Sequence, residues 1–282
     1  MNIVYLIQCH KNLEQVIFLV DSLKLSESDK VVIHVDGKNR QLKSLLRSHY
    51  YNSAQVFIIK NPISVSWSGF SQVQATLKMI DFIYVNNICF DYCCLLSGED
   101  IVLNVESFKS YLIKYSGLSF IEFRDDREKY FWRINKFNFL RDFRFSQKYF
   151  TRALSSFFIK IQSLLGVKRS NFDEDEIHIG SQWFTISRQH MDLFFSVMDK
   201  EYLRRYKYTS CADEHFFQML FKACIDPLEY REENLRFIDF PYGSSSPRYL
   251  SIADLDSIKD MSDIFIARKV TFRVASEFFG AK

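Results

Sequence analysis

The chain has 282 residues, enough for one large domain or two small ones, and 48% of them are apolar, so a substantial core is within reach. Only 8 Gly and 4 Pro beside 17% aromatic residues argue against disorder, collagen-like structure and a flexible multidomain string. A net charge of +3 is too weak a field to mark a nucleic-acid binder by itself, and six cysteines without a Cys-x-x-Cys pair read as reduced, buried thiols.

Ile3 to Cys9 is a short apolar run of the kind a buried parallel strand shows, and Asn12 to Leu25 repeats apolar residues at helical spacing. Val31 to Asp36 is a second strand ending in a carboxylate, followed by a Lys/Arg-rich helix, and Gln55 to Ile59 is a third. Ser71 to Val85 is helical by pattern, Tyr92 to Leu96 is a fourth strand stopping at Ser97-Gly-Glu-Asp100, Val105 to Tyr115 is a helix, and Ser119 to Phe123 is a strand. Strands and helices alternating at this length predict an α/β fold with a mostly parallel sheet and right-handed crossovers. Ligands of such sheets bind at the carboxyl ends of the strands, where Cys9-His10-Lys11, His34-Val-Asp36 and Ser97-Gly-Glu-Asp100 fall together. No Gly-x-Gly-x-x-Gly or Walker-type loop follows the first strand, which argues against a dinucleotide enzyme or a P-loop kinase.

From Arg124 to Ser170 twelve Lys/Arg stand against four Asp/Glu, interleaved with aromatic residues. Phe150, Leu154, Phe157, Phe158, Ile161, Leu164 and Leu165 share one helical face there. The plain expectation is a helix packed on the domain with a solvated basic face. Two sharper ones are an acceptor platform or contact with an anionic membrane surface, and RNA binding ranks third. Asp173 to Glu176 reads as an exposed loop, Gly180 to Ser187 as a strand entered through a tight turn, and Gln189 to Met198 and Asp213 to Cys224 as helices. Asp213 and Glu214 are explained at this level by the preference of a helix start for carboxylates. Neither a signal-peptide core nor a membrane-spanning stretch is found, so a cytoplasmic protein is expected, peripheral on the inner face of the cell membrane if the basic stretch meets lipid.

Taken in order, these segments resemble glycosyltransferase family 14, which holds the core 2 β-1,6-N-acetylglucosaminyltransferases and the peptide O-xylosyltransferases. The resemblance is carried by Tyr5-Leu-Ile-Gln-Cys-His10, His34-Val-Asp-Gly-Lys38, the segment Val65 to Ala75, Tyr92 to Asp100, Gly180-Ser-Gln-Trp-Phe-Thr-Ile-Ser-Arg188, Ala212-Asp-Glu-His-Phe-Phe217, Asn234 to Asp239 and Phe265-Ile-Ala-Arg-Lys269. It implies a GT-A-like fold, here a single domain over 1–282 with a nucleotide-sugar half (1–123) and an acceptor and catalytic half (124–282). It also implies an inverting reaction from a UDP donor, N-acetylglucosamine or xylose being the sugars expected, without cofactor or metal. The acceptor expected is a glycan or lipid-linked oligosaccharide of surface polysaccharide synthesis, with no nucleic-acid partner. In the family the base is the Glu of the Asp-Glu pair, which maps to Glu214, and an Arg and a Lys near the C-terminus offset the leaving diphosphate, which map to Arg248 and Lys269. Asp36 and His10 are expected at the nucleotide, Trp183 and Trp67 as flat surfaces for a sugar, Ser181 and Asp213 at the acceptor, with Asp213 alternatively a helix cap. A non-catalytic carbohydrate- or nucleotide-binding assembly factor of the same pathway is the competing reading.

Overall fold

The computed structural model describes residues 1–143, 145–169 and 172–280. Arg144 and Ser170, inside the basic stretch, lie outside the described residues. The first half alternates as the sequence predicts: β1 (Ile3–Cys9), α1 (Leu13–Ser22), β2 (Lys30–Val35), α2 (Arg40–His49), β3 (Val56–Ile58), α3 (Ser71–Val85), β4 (Tyr92–Ser97), β5 (Asp100–Val102), α4 (Val105–Lys114) and β6 (Ser119–Phe123). The second half adds α5 (Phe131–Asn135), α6 (Tyr149–Leu164), β7 (Gly180–Ser187), α7 (Arg188–Val197), α8 (Lys200–Arg204), α9 (Phe216–Cys224), β8 (Tyr230–Arg231), β9 (Arg236–Ile238), α10 (Ile252–Ile258), β10 (Ile266–Arg268) and α11 (Phe272–Phe278).

A seven-stranded sheet runs in the order β3-β2-β1-β4-β7-β6-β8, and a three-stranded sheet in the order β5-β10-β9. Strands β3, β2, β1 and β4 are mutually parallel, and β7 is antiparallel to both β4 and β6. The long excursion after β6 explains the reversal. It leaves and re-enters at one end of the sheet, with Phe123 opposite Gly180, so β7 must run back against β6. The α/β class with a mostly parallel sheet flanked by helices is therefore the fold observed.

Alternation along the buried strands builds two cores. Leu6, Val32 and Leu95 face α3, α7 and α9 on one side, and Tyr5, Ile7, Ile33 and Leu96 face α1, α2 and α4 on the other. A smaller cluster of Ile101, Leu250, Leu255, Ile258 and Ala267 seals the three-stranded sheet. Buried Arg236 ties the two sheets together: its Nη2 donates to Leu95 O at 2.8 Å.

The cysteine expectation holds in part. All six are free, and Cys9, Cys93 and Cys94 are buried, but Cys89 is exposed.

Candidate functional site

Register sets the carboxyl ends of the central strands level. Cys9 pairs with Val35 and Gln8 with Ser97, so His10, Asp36 and Glu99 emerge side by side from one edge. Close packing at that edge requires glycine at Gly98, where a Cβ would lie 2.7 Å from Cys9 Cβ. The return of β7 requires another at Gly180, where a Cβ would fall 1.8 Å from Glu122 O. Above this edge opens a cleft of about 580 Å3, whose wall includes His10, Asp36, Trp67, Ser181, Trp183, Asp213, Glu214 and Lys269.

Glu214 ends a 3-10 turn, Ala212–Glu214, that follows Cys211 in the left-handed region at φ 50°. Its Oε2 accepts from Arg133 Nη1 at 2.6 Å and lies 3.7 Å from Arg124 Nη1. Both guanidinia also lie over the Tyr130 ring, at 4.3 Å for Arg133 and 4.7 Å for Arg124. Among the described residues no partner holds Oε1. Neighbouring Asp213 is buried with its Oδ1 unpaired, and burial together with the Glu214 charge pushes its carboxyl up to about 7. Asp213 caps no helix. The helix α9 starts at Phe216 with His215 as N-cap and without a side-chain cap, because the 3-10 turn diverts the chain before the helix begins.

At the other strand ends the carboxylates are already matched by cations. Asp100 is fully buried; its Oδ1 accepts from Arg268 Nη1 at 2.8 Å and its Oδ2 lies 3.6 Å from Arg236 Nη2. Glu99 accepts from Tyr249 Oη at 2.5 Å and pairs with Lys11 at 3.1 Å. Burial opposes ionisation of Glu99, yet these two partners and nearby Lys269 hold its carboxyl below the ordinary range. Lys269 Nζ donates to Ser246 Oγ at 2.7 Å. Asp36 Oδ1 accepts from the backbone N–H of Lys38 at 3.0 Å and of Val65 at 3.2 Å, which fixes the turn beneath the cleft. Burial pushes the imidazole of His34 down to about 4, and its Nε2 accepts from Ile63 N.

Two expected residues are placed differently. Arg248 is not brought to the cleft, because two carboxylates already satisfy its guanidinium: Asp239 at 2.5 Å and Asp254 at 2.8 and 2.7 Å. Trp183 lines the cleft but is buried, with Arg236 and Arg268 over its ring at 4.9 and 4.5 Å, so guanidinia occupy the surface a sugar would need. Trp67, at 49% exposure, keeps such a surface open. Ser181 Oγ accepts from Trp183 N at 3.4 Å, and its carbonyl is held by Gln218. The sequence reading missed Glu122, Arg124 and Arg133, and it weighed Arg268 only alongside Lys269. Glu122, whose carboxyl burial raises, accepts from Asn234 Nδ2 at 2.6 Å. A signal existed for Glu122 and Arg124, which stand at a strand end on the ligand-binding edge.

A polar cleft at the carboxyl edge of a mostly parallel sheet, lined by carboxyls with oxygens unpaired among the described residues and by a group of fixed cations, suits a glycosyltransferase. The chain belongs to the Core-2/I-branching enzyme family, whose family model matches residues 3–264. It is accordingly a transferase that takes a sugar donor and a glycan acceptor. No curated protein matches the sequence. Among 46 matching chains of solved structures is a mannose-1-phosphate geranyltransferase from Thermus thermophilus, 10% identical over 80% of this chain and 68% of that one, with a TM-score of 0.34.

Proposed function

We propose that this transferase inverts: one in-line displacement moves a sugar from a UDP donor to a hydroxyl of a glycan acceptor in surface polysaccharide synthesis. The observation that carries it is Glu214, which lines the cleft with its Oε2 fixed by Arg133 and Arg124 and its Oε1 without a partner among the described residues. As the acceptor oxygen bonds to the anomeric carbon, its proton passes to Oε1 and the donor's bond to the diphosphate breaks. Two arginines on one oxygen keep the carboxylate oriented before the acceptor arrives, so little reorganisation accompanies transfer.

Charge arriving on the leaving diphosphate is met by Lys269, with Arg268 beside it in sequence. Arg248 acts at one remove: tied to Asp239 and Asp254, it holds the segment that presents Ser246 to Lys269. Asp36 and His10, level with each other on the strand edge, take the nucleotide, and Trp67 takes a sugar face. N-acetylglucosamine and xylose are the donor sugars favoured by the family resemblance, and an oligosaccharide carried on lipid is the acceptor favoured by the basic, aromatic stretch.

The reaction proceeds without metal in this reading. Glu99 and Asp100, where a metal-binding carboxylate pair would be expected after β4, are already neutralised by Lys11, Arg236 and Arg268. Screening hydrolysis of a panel of nucleotide sugars, with and without chelator, tests the proposal. Turnover of a UDP-sugar unaffected by chelator is the expected result, and turnover abolished by chelator and restored by a divalent cation would overturn the metal-free mechanism.

A further inference from the structure

Helix α6 meets the domain with the wrong face for an amphipathic core helix. Its buried residues are Thr151, Ser155 and Gln162. The Gln162 amide is engaged by the chain it rests on, with Oε1 accepting from Phe137 N at 2.7 Å and Nε2 donating to Phe137 O at 3.0 Å. Phe150, Phe157 and Leu164, at a spacing of seven that keeps them in one stripe, are 76%, 56% and 87% exposed. The packed helix with a solvated basic face, expected from sequence, is thus reversed: polar groups seal the joint and the apolar stripe faces outward. Burying a phenylalanine yields about 1.5–3 kcal/mol, so a continuous stripe of this kind points to something that covers it.

Charge identifies the cover. From Lys136 to Arg169 the sequence has eight Lys/Arg and a single acid, Asp142. That acid is exposed but engaged, accepting from the backbone N–H groups of Phe70 and Ser71 at the start of α3. Arg152 and Lys160 are exposed on α6, Lys148 stands just before it, and none has a carboxylate partner among the described residues. A second copy docked about a twofold axis would set these cations against themselves. An anionic headgroup layer matches both the cations and the stripe.

We propose that α6 lies flat on a bilayer containing anionic lipid, with Phe150, Phe157 and Leu164 in the headgroup–acyl boundary and Arg152 and Lys160 on lipid phosphates. The helix begins directly after Ser146 and Gln147, which line the cleft, and Gln147 Nε2 donates to Trp67 O at 3.3 Å. Docking would therefore hold the cleft mouth at the lipid surface, where an acceptor carried on lipid presents its glycan. This deepens the acceptor side of the proposed function, but the anchoring itself rests on α6 alone.

Co-sedimentation of the full chain with phosphatidylcholine vesicles, with and without phosphatidylglycerol, tests it. Binding should require phosphatidylglycerol and weaken with salt. The triple variant Phe150→Ser, Phe157→Ser, Leu164→Ser should lose affinity by at least roughly tenfold, and Arg152→Glu with Lys160→Glu by roughly fivefold or more per cation. Both should keep the thermal midpoint and the nucleotide-sugar hydrolysis of the parent, because the substituted side chains face water. Absent binding to anionic vesicles at low salt, or binding that ignores both variants, overturns the proposal. So does a concentration-dependent dimer that the triple variant abolishes while vesicles are ignored, which would assign the stripe to a second copy. If no donor is hydrolysed by any form, the catalytic reading fails while the vesicle result still decides the anchor.

Discussion

Replacing Glu214 by Gln separates base catalysis from structure because the two costs differ by orders of magnitude. The glutamine amide would keep the side-chain shape and one acceptor oxygen for Arg133, so the structural loss is one charge-assisted hydrogen bond reduced to a neutral one, about 1 kcal/mol. The 30% exposure of the Glu214 side chain softens that cost further by leaving water beside the pair. A drop of about 2–4 °C in the thermal midpoint corresponds to this loss in a chain of comparable size. An amide cannot accept the acceptor's proton, and a positioned general base contributes about 10²–10⁴ in rate. That is about 2.7–5.4 kcal/mol of barrier. The assay is release of UDP from the donor identified by the panel, in the presence of an acceptor, with donor affinity measured separately by calorimetry. Expected is a fall in turnover of two orders of magnitude or more with donor affinity retained. Turnover near the parent's would refute the assignment and shift attention to Glu122 and Asp213, cleft carboxyls whose proton affinity burial raises. A matching loss of donor affinity would make Glu214 a binding residue instead, and a parent that binds donor without turning it over would favour the non-catalytic assembly factor.

Three further outcomes follow from the same geometry. Lys269→Ala should weaken donor binding roughly 10- to 100-fold, the worth of a charge-assisted contact. Arg248→Ala should weaken it clearly less, and equal losses in parallel titrations would return Arg248 to the diphosphate. Asp100→Asn leaves Arg236, fully buried, without its anionic partner, and should destabilise by about 3–5 kcal/mol in urea unfolding; a change under about 1 kcal/mol would show the cluster to be neutralised otherwise. Asp213 sets a pH dependence. Its carboxyl is raised from 3.8 to about 7, so the folded state binds the proton more tightly than the unfolded one, and this stability is full below 3.8 and lost as pH rises through about 7. Buried His34, lowered to about 4 from 6.5, acts in the opposite sense, contributing above 6.5 and losing its contribution as pH falls through about 4. The difference between parent and Asp213→Asn isolates the carboxyl: the variant should gain on the parent in stability from about pH 4 to about pH 7 and hold level above that. A difference that stays flat over that range contradicts the protonated state of Asp213.

The parallel half of the sheet was legible because its strands are buried on both faces and its helices repeat at 3.6 residues. The short strands β5, β8, β9 and β10 were not, since three residues or fewer give no period to read, and β3, equally short, was legible only as part of the strand–helix alternation. Site residues at strand ends, such as His10 and Asp36, followed from topology alone. Glu214 needed the family resemblance, as local rules favour a helix start for its segment, and the 3-10 turn that places it depends on a left-handed Cys211 that no propensity predicts. The placements of Arg248 outside the cleft and of Trp183 beneath two guanidinia were not legible, for one reason. Their side chains find intramolecular partners, Arg248 across nearby loops with Asp239 and Asp254 and Trp183 with the distant Arg236 and Arg268, and such pairings leave no periodic signal in a linear pattern. The outward face of α6 was misassigned because periodicity tells which residues share a face and leaves open which face turns inward.

The two guanidinia over Trp183 have an optical consequence. An indole's emission responds to cations held against its ring, and Arg268 adjoins Lys269, the residue proposed to meet the diphosphate. The chain has three tryptophans, so conversion of Trp67 and Trp132 to Phe would leave Trp183 as the sole emitter. Arg236 is held by both Leu95 O and Asp100 and has no exposed side-chain surface, whereas Arg268 is held by Asp100 alone with 14% of its side chain exposed, so Arg268 has the looser hold. The cleft thus carries an intrinsic fluorophore whose brightness reports the position of one arginine, and donor occupancy could be followed in it without a label.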